Sequence, residues 1–207
     1  YLSFHLEKKG AKVLGVDLSP KMIEEAKTSA LSKNSTTSFT TDSCSTLKTI
    51  NDDSIDLITC NYVLMDLPDL TGAVANFYRV LKPGGALVVC DADFEKVSIG
   101  NAYADPLNAC AQYFTEHFVT DKFLVGKLRE LIGKSGLNLM SFRVATRIIT
   151  EGQGGMTYVG MGGKMMVERG IIGQPMADAL TAEYDRRVAQ GCLYGFVPFA
   201  IAIARKG

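Results

Sequence analysis

The sequence predicts an α/β fold, a doubly wound and mostly parallel sheet with helices on both faces. Two observations carry this expectation. Short apolar, β-prone runs alternate with segments whose apolar residues recur at helical spacing, and that alternation builds parallel strands with right-handed crossovers. In addition, Asp17, Asp42, Asn61 and Asp91 each follow directly on a strand candidate. They stand at the carboxyl ends of strands, where ligands of such sheets bind.

The elements follow in chain order. Tyr1–Lys9 reads as the end of a helix, stopped at Gly10. Lys12–Val16 is a buried strand candidate that ends on Asp17. Ser19 supplies a cap and Pro20 the first helical position of a helix to about Lys33, with Met22, Ile23, Ala26 and Ala30 on its buried face. Ser38–Thr41 is a brief strand ending at Asp42, and Ile55–Cys60 is a buried strand. Thr71–Leu81 is a helix stopped by Lys82-Pro83-Gly84-Gly85, and Ala86–Cys90 is the next buried strand.

The second half predicts helices over Pro106–Phe118 and Asp121–Ser135, a long strand over Leu137–Thr150, a helix over Pro175–Gln190 and a last strand over Phe196–Ala204. Between Glu151 and Gly173 stand eight glycines and four methionines. That density of glycine opposes helix and strand alike, so the stretch reads as a long irregular connection or a mobile lid.

Bulk properties narrow the function. A chain of 207 residues with 47% hydrophobic content can fill one domain. Its 22 basic and 22 acidic side chains cancel, which argues against a broad nucleic-acid or anionic-membrane footprint. No apolar run reaches the length of a membrane span. Five isolated cysteines and two histidines include no C-x-x-C pair and offer no zinc-type spacing, which points to a reducing cytoplasm and no metal. Asp17 itself has two readings: a cap for the following helix, or a carboxylate whose two oxygens accept from the vicinal hydroxyls of a ribose.

The order V-x-G-V-D-x-S-P-x-M-I-E-x-A-K, then T-D-S at 41–43, I-D-L-I-T-C-N-Y-V-L at 55–64 and R-V-L-K-P-G-G-A-L at 79–87, resembles the class I S-adenosylmethionine-dependent methyltransferases, most of all their small-molecule branch. The match covers about residues 1–92. The resemblance implies a Rossmann-like sheet with an antiparallel last strand, S-adenosyl-L-methionine as cofactor, a small-molecule methyl acceptor, and a monomer or homodimer. It implies that Asp17 binds the ribose hydroxyls, that Leu18 and Met22 lie beside the adenine, that Asp42 and Ser43 meet the adenine edge, and that Asn61 and Tyr62 meet the methionine part. It divides the domain into a cofactor-binding part, 1–92, and a substrate-covering part, 93–207.

Two departures matter. The glycine-rich loop between the family's first strand and first helix is absent from the sequence, and Tyr1–Leu6 resembles the helix that follows it. The expectation is a preceding segment of about 30–50 residues, the usual size of a helix, a strand and two loops. Many relatives also place histidines after the fourth strand, where Met65 and Asp66 stand here. Asp66 is then a candidate base, or a solvated loop carboxylate. His117 is a second candidate base, or a plain helix-surface residue. Tyr103, Phe114 and Tyr158 are candidates to line an apolar acceptor pocket, or core aromatics at helical spacing. A non-catalytic scaffold and an NAD(P)-dependent oxidoreductase are the competing functions.

Overall fold

The computed structural model describes every residue except Tyr1 and Tyr103, together with the side chain of Gln153, which is also left out. The substrate role expected of Tyr103 therefore lies outside the described residues. The chain runs α1(Leu2–Lys8), β1(Leu14–Asp17), α2(Pro20–Ser32), β2(Ser38–Thr41), β3(Ile55–Asn61), a 3₁₀ turn at Leu64–Asp66, α3(Leu70–Val80) and β4(Leu81–Ala92). It continues through a second 3₁₀ turn at Phe94–Lys96, β5(Ser98–Ile99), α4(Pro106–Phe118), α5(Leu124–Lys134), β6(Asn138–Ile149), α6(Gln153–Glu168), α7(Gln174–Ala189) and β7(Gly195–Arg205).

The strands form two sheets. β1 and β2 pair in parallel, while the second sheet runs β3-β4-β7-β5 with β6 also on β7. β3 and β4 are parallel, and β7 is antiparallel to β4, to β5 and to β6. Antiparallel β7 reverses direction, and β6 reverses again. The amino end of β7 and the carboxyl end of β6 therefore stand at the carboxyl end of β4, beside Asn61 and Asp91. One end of the sheet thus gathers the polar strand ends of both halves.

Two sequence expectations need correction. β1 and β3 are not buried strands: Leu14 is 39% exposed and Leu57 44% exposed. No pairing connects β1 to β3, so neither strand has neighbours on both sides. The Glu151–Gly173 stretch is not an irregular connection, because Gln153–Glu168 is a sixteen-residue helix. Its glycines serve close packing against α4. A Cβ at Gly162 would fall on the Cys110 carbonyl, so only glycine lets the two helices approach this closely.

One apolar core runs through the second sheet and its helices, from Leu47 through Phe77, Leu87 and Leu128 to Ala204. It draws on both parts of the expected division. The R-V-L-K-P-G-G motif acquires a structural meaning here. The Arg79 guanidinium donates to the carbonyls of Leu47 (2.9 Å), Ile50 (3.1 Å) and Thr46 (3.2 Å), which ties the loop after β2 to α3. Gly84 turns with φ +77° and donates its amide to the Lys206 carbonyl at 3.0 Å, so the motif also fastens the chain's last strand.

Candidate functional site

β1 delivers Asp17 to the head of α2. Its Oδ1 accepts from the Ser19 amide at 2.8 Å, and the Ser19 hydroxyl caps α2 by accepting from the Met22 amide at 3.3 Å. The cap is therefore Ser19, and Asp17 supports it with one oxygen. Oδ2 has no partner among the described residues, so it remains able to accept from a hydroxyl. Beside it Leu18 is 72% exposed and Met22 51% exposed. Apolar side chains left uncovered next to an unshared carboxylate oxygen suit a flat, apolar ring attached to a diol, and on this count the residues present fit an adenosine.

Asp42 is already engaged. Oδ1 accepts from the Ser43 amide at 2.7 Å, and Oδ2 accepts from the Thr49 amide at 2.8 Å and the Thr49 hydroxyl at 2.7 Å. Burial raises its pKa, but these donors outweigh it and hold the carboxyl below the usual range. Asp42 thus shapes its own loop, and its remaining lone pairs and the Ser43 backbone are what it can offer a ligand.

The strand ends adjoin. Burial raises the Cys44 thiol, and the charges of Asp17 and Asp42 add to that. Burial likewise raises Cys60, followed by the charges of Asp91 and Cys44. Electrostatic influence thus passes from Asp17 to Cys44 and from Asp91 to Cys60, across the boundary between the two sheets.

Asp91 is the anomaly among these groups. Leu87, Val89 and Asp91 share the core face of β4, and Asp91 is fully buried. Neither of its oxygens has a hydrogen-bond partner of normal geometry. Burial pushes its pKa up to about 7, opposed by the nearby amides of Leu64 and Val63 and reinforced by the charge of Asp66. Sequence reasoning placed Asp91 at a strand end without assigning it a role. The alternation along β4 is the signal that puts it on the buried face.

Beyond Asn61, Tyr62 leaves the ladder with φ +54°, a left-handed conformation that is uncommon for a bulky residue. Its amide donates to the Cys90 carbonyl at 3.0 Å, and its ring meets Phe199 edge-on at 5.6 Å. Asn61 and Tyr62 are both exposed at this end of the sheet. Asp66 lies in the following turn with its pKa raised by burial, against an opposing Thr120 amide. Tyr158 on α6 packs against Phe114 at 5.4 Å and Phe94 at 6.3 Å, and burial pushes its phenol up to about 12. Phe114 is buried in the core, while Tyr158 is half-buried. His117 stacks on Tyr113 at 4.2 Å, and its Nδ1 stands 2.9 Å from the Tyr113 carbonyl. Its ring is exposed on the last turn of α4. Among the described residues no cluster of His, Cys, Asp and Glu could hold a metal ion, and no helix is long and apolar enough to cross a membrane.

Comparison with known proteins agrees with this geometry. Residues 1–89 match the family described as Methyltransferase domain. Ubiquinone biosynthesis O-methyltransferase of Xanthomonas oryzae pv. oryzae is 27% identical over 133 residues, covering 62% of this chain and 56% of that protein. Demethylmenaquinone methyltransferase of Tropheryma whipplei is 27% identical over 151 residues, covering 65% of this chain and 60% of that one. The chain thus spans little more than half the length of these curated relatives. Among solved structures, a methyltransferase of Methanosarcina mazei superposes with a TM-score of 0.60 at 19% identity, covering 99% of this chain and 86% of that one. That similarity shows the fold.

Proposed function

We infer, from the match of residues 1–89 to the Methyltransferase domain family, that the protein is a class I S-adenosylmethionine-dependent methyltransferase that transfers a methyl group to a small-molecule acceptor. The observation that carries this reading is the unshared Oδ2 of Asp17 beside exposed Leu18 and Met22. These residues would hold the ribose and adenine, with Asp42 and Ser43 at the adenine edge and Asn61 and Tyr62 toward the reacting end. When bound, the cofactor supplies an activated sulfonium methyl group. The protein then has to orient the acceptor in line with that group and exclude water from it.

Residues 1–92 serve the cofactor in this reading, and 93–207 cover the acceptor. Tyr62, Phe199 and Tyr158 offer aromatic surfaces to the acceptor, with Phe114 supporting Tyr158 from the core. The charge of Asp66 acts on Asp91 at the strand end, and burial raises its proton affinity, the direction a general base needs. His117 is the second candidate, an exposed ring stacked on Tyr113. The ubiquinone and demethylmenaquinone enzymes similar to this chain make aromatic acceptors a reasonable first panel. We place the protein in the cytoplasm.

The test is calorimetric binding of S-adenosylhomocysteine. Asp17→Ala is expected to weaken it by about 10–100-fold, the effect of losing one or two hydrogen bonds to a charged acceptor. Unchanged affinity counts against the reading. Tight binding with no methyl transfer across an acceptor panel supports a non-catalytic scaffold instead.

A further inference from the structure

Among the described residues Arg147 is a cation with no hydrogen-bonding or ion-pair partner. It lies on β6 opposite Val197, two residues beyond Ala145, which stands opposite Phe199, so Arg147 and Phe199 share a sheet face at the carboxyl end of β4. Among the described residues its guanidinium makes no ion pair or hydrogen bond. Its position is nevertheless set. A Cβ added at Gly154 would stand 2.7 Å from Nη2 and 3.0 Å from Cζ, so the guanidinium lies directly on the first turn of α6. The Tyr184 hydroxyl fixes that turn by donating to the Gly152 carbonyl at 2.9 Å. The charge of Arg147 reaches the phenols of Tyr62, Tyr158 and Tyr184, lowering each against the burial that raises it. One fixed cation thus overlooks the aromatic surfaces that the proposed acceptor would use.

We propose that Arg147 is the specificity-determining residue of the acceptor site, and that the acceptor is a planar aromatic carboxylate. Its acid group pairs with the Arg147 guanidinium while its ring lies against Tyr62, Phe199 and Tyr158. The inference rests on the methyltransferase reading for the word acceptor, but the anion site itself does not depend on it. A guanidinium presents two parallel donors that match a carboxylate, and its seat against the first turn of α6 holds that fork in place although the side chain is exposed. Aromatic rings edge-on and face-on to one another accept a further ring at little cost in order. Glycine at 154 has a direct use here, since any side chain would displace the guanidinium.

The experiment uses the full chain and a matched pair of probes, 3,4-dihydroxybenzoate and 3,4-dihydroxybenzamide. Their affinities are measured by ligand-observed NMR and calorimetry, with and without S-adenosylhomocysteine. The acid is expected to bind about tenfold or more tightly than the amide, the usual worth of a charge-assisted pair. Arg147→Gln should reduce that ratio to about one, Arg147→Lys should keep part of it, and Gly154→Ala should lower it with Arg147 intact. Because Arg147 is exposed on an edge strand, thermal unfolding and S-adenosylhomocysteine affinity should stay at the wild-type level in Arg147→Gln. Equal binding of acid and amide, no measurable binding of the acid, or a ratio that survives Arg147→Gln would each overturn the proposal. Failure of the methyltransferase reading has a different signature: no binding of S-adenosylhomocysteine, with acid discrimination still present and still lost in Arg147→Gln.

Discussion

Residues 2–41 and residues 42–207 are held together by different means. The first region buries only two apolar side chains, Ile23 and Ala30, and neither joins the main core. Its two strands form a separate parallel pair, and the Glu7 carboxylate binds it together by accepting from the hydroxyls of Ser35 and Thr36 and from the Thr36 amide. The second region is held by one extended apolar core. Their carboxylates respond oppositely. Hydrogen bonds from Ser35 and Thr36 bring Glu7 down to about 2, whereas burial raises Asp91 to about 7. The difference teaches that an acidic residue at a strand or helix end carries no fixed meaning. Its partners and its burial decide whether it fastens the fold or loads it.

The largest expected effect tests the claim that the core holds the second region. Phe77 is 2% exposed and faces the sheet from α3. Phe77→Ala should cost about 3–5 kcal/mol in urea unfolding, the usual loss for an aromatic removed from a packed core. A loss below about 1 kcal/mol would place the core elsewhere. Asp91 comes next. Its folded pKa lies above its ordinary value of 3.8, so between about pH 4 and pH 7 the folded state holds a proton that the unfolded state has released. Stability from this group therefore falls as pH rises through that window, and its full cost is present above about 7. From pH 5 to pH 8 the wild type should lose about 1–3 kcal/mol that Asp91→Asn does not lose. Parallel pH profiles for the two proteins would show that Asp91 is ionised throughout and paired.

Much of this was legible in the sequence, and the misses share a cause. α4 runs from Pro106 to Phe118, the expected bounds, because Asp105 and Pro106 state its start in local chemistry: the Asp105 carboxylate accepts from the Leu107 amide at 3.0 Å. β2 at Ser38–Thr41 agrees as well. α6 was not legible, because glycine argues against a helix from propensity alone and only the packing of α4 against it reverses that. Burial of β1 and β3 failed because an apolar strand shows how much it could bury, not which neighbours are there to cover it. In the site, Asp17 and Asn61 were visible as strand-end residues. The lack of a partner for Arg147 among the described residues and the burial of Asp91 without a hydrogen bond of normal geometry were not, since each depends on what other elements fail to provide.

The smallest expected effect is the most discriminating for the comparison itself. Glu7 is depressed to about 2, so its bonds stabilise α1 and the Ser35–Thr36 turn fully above about pH 4.5 and are lost as pH falls toward 2. Glu7→Gln should remove that acid dependence. If residues 2–41 open as their own unit, the variant should speed amide exchange in β1 and β2 at neutral pH while the global urea midpoint barely moves. Exchange is the right measure because it reports local opening separately from global unfolding. Val16 packs against the main core, and the Asp42 amide donates to the Asp17 carbonyl at 3.1 Å, so the contact of Val16 is one through which the two regions could unfold together. A midpoint shift in Glu7→Gln approaching that of Phe77→Ala would mean that this contact couples them, and the distinction between a hydrogen-bonded unit and an apolar one would no longer describe how the chain unfolds.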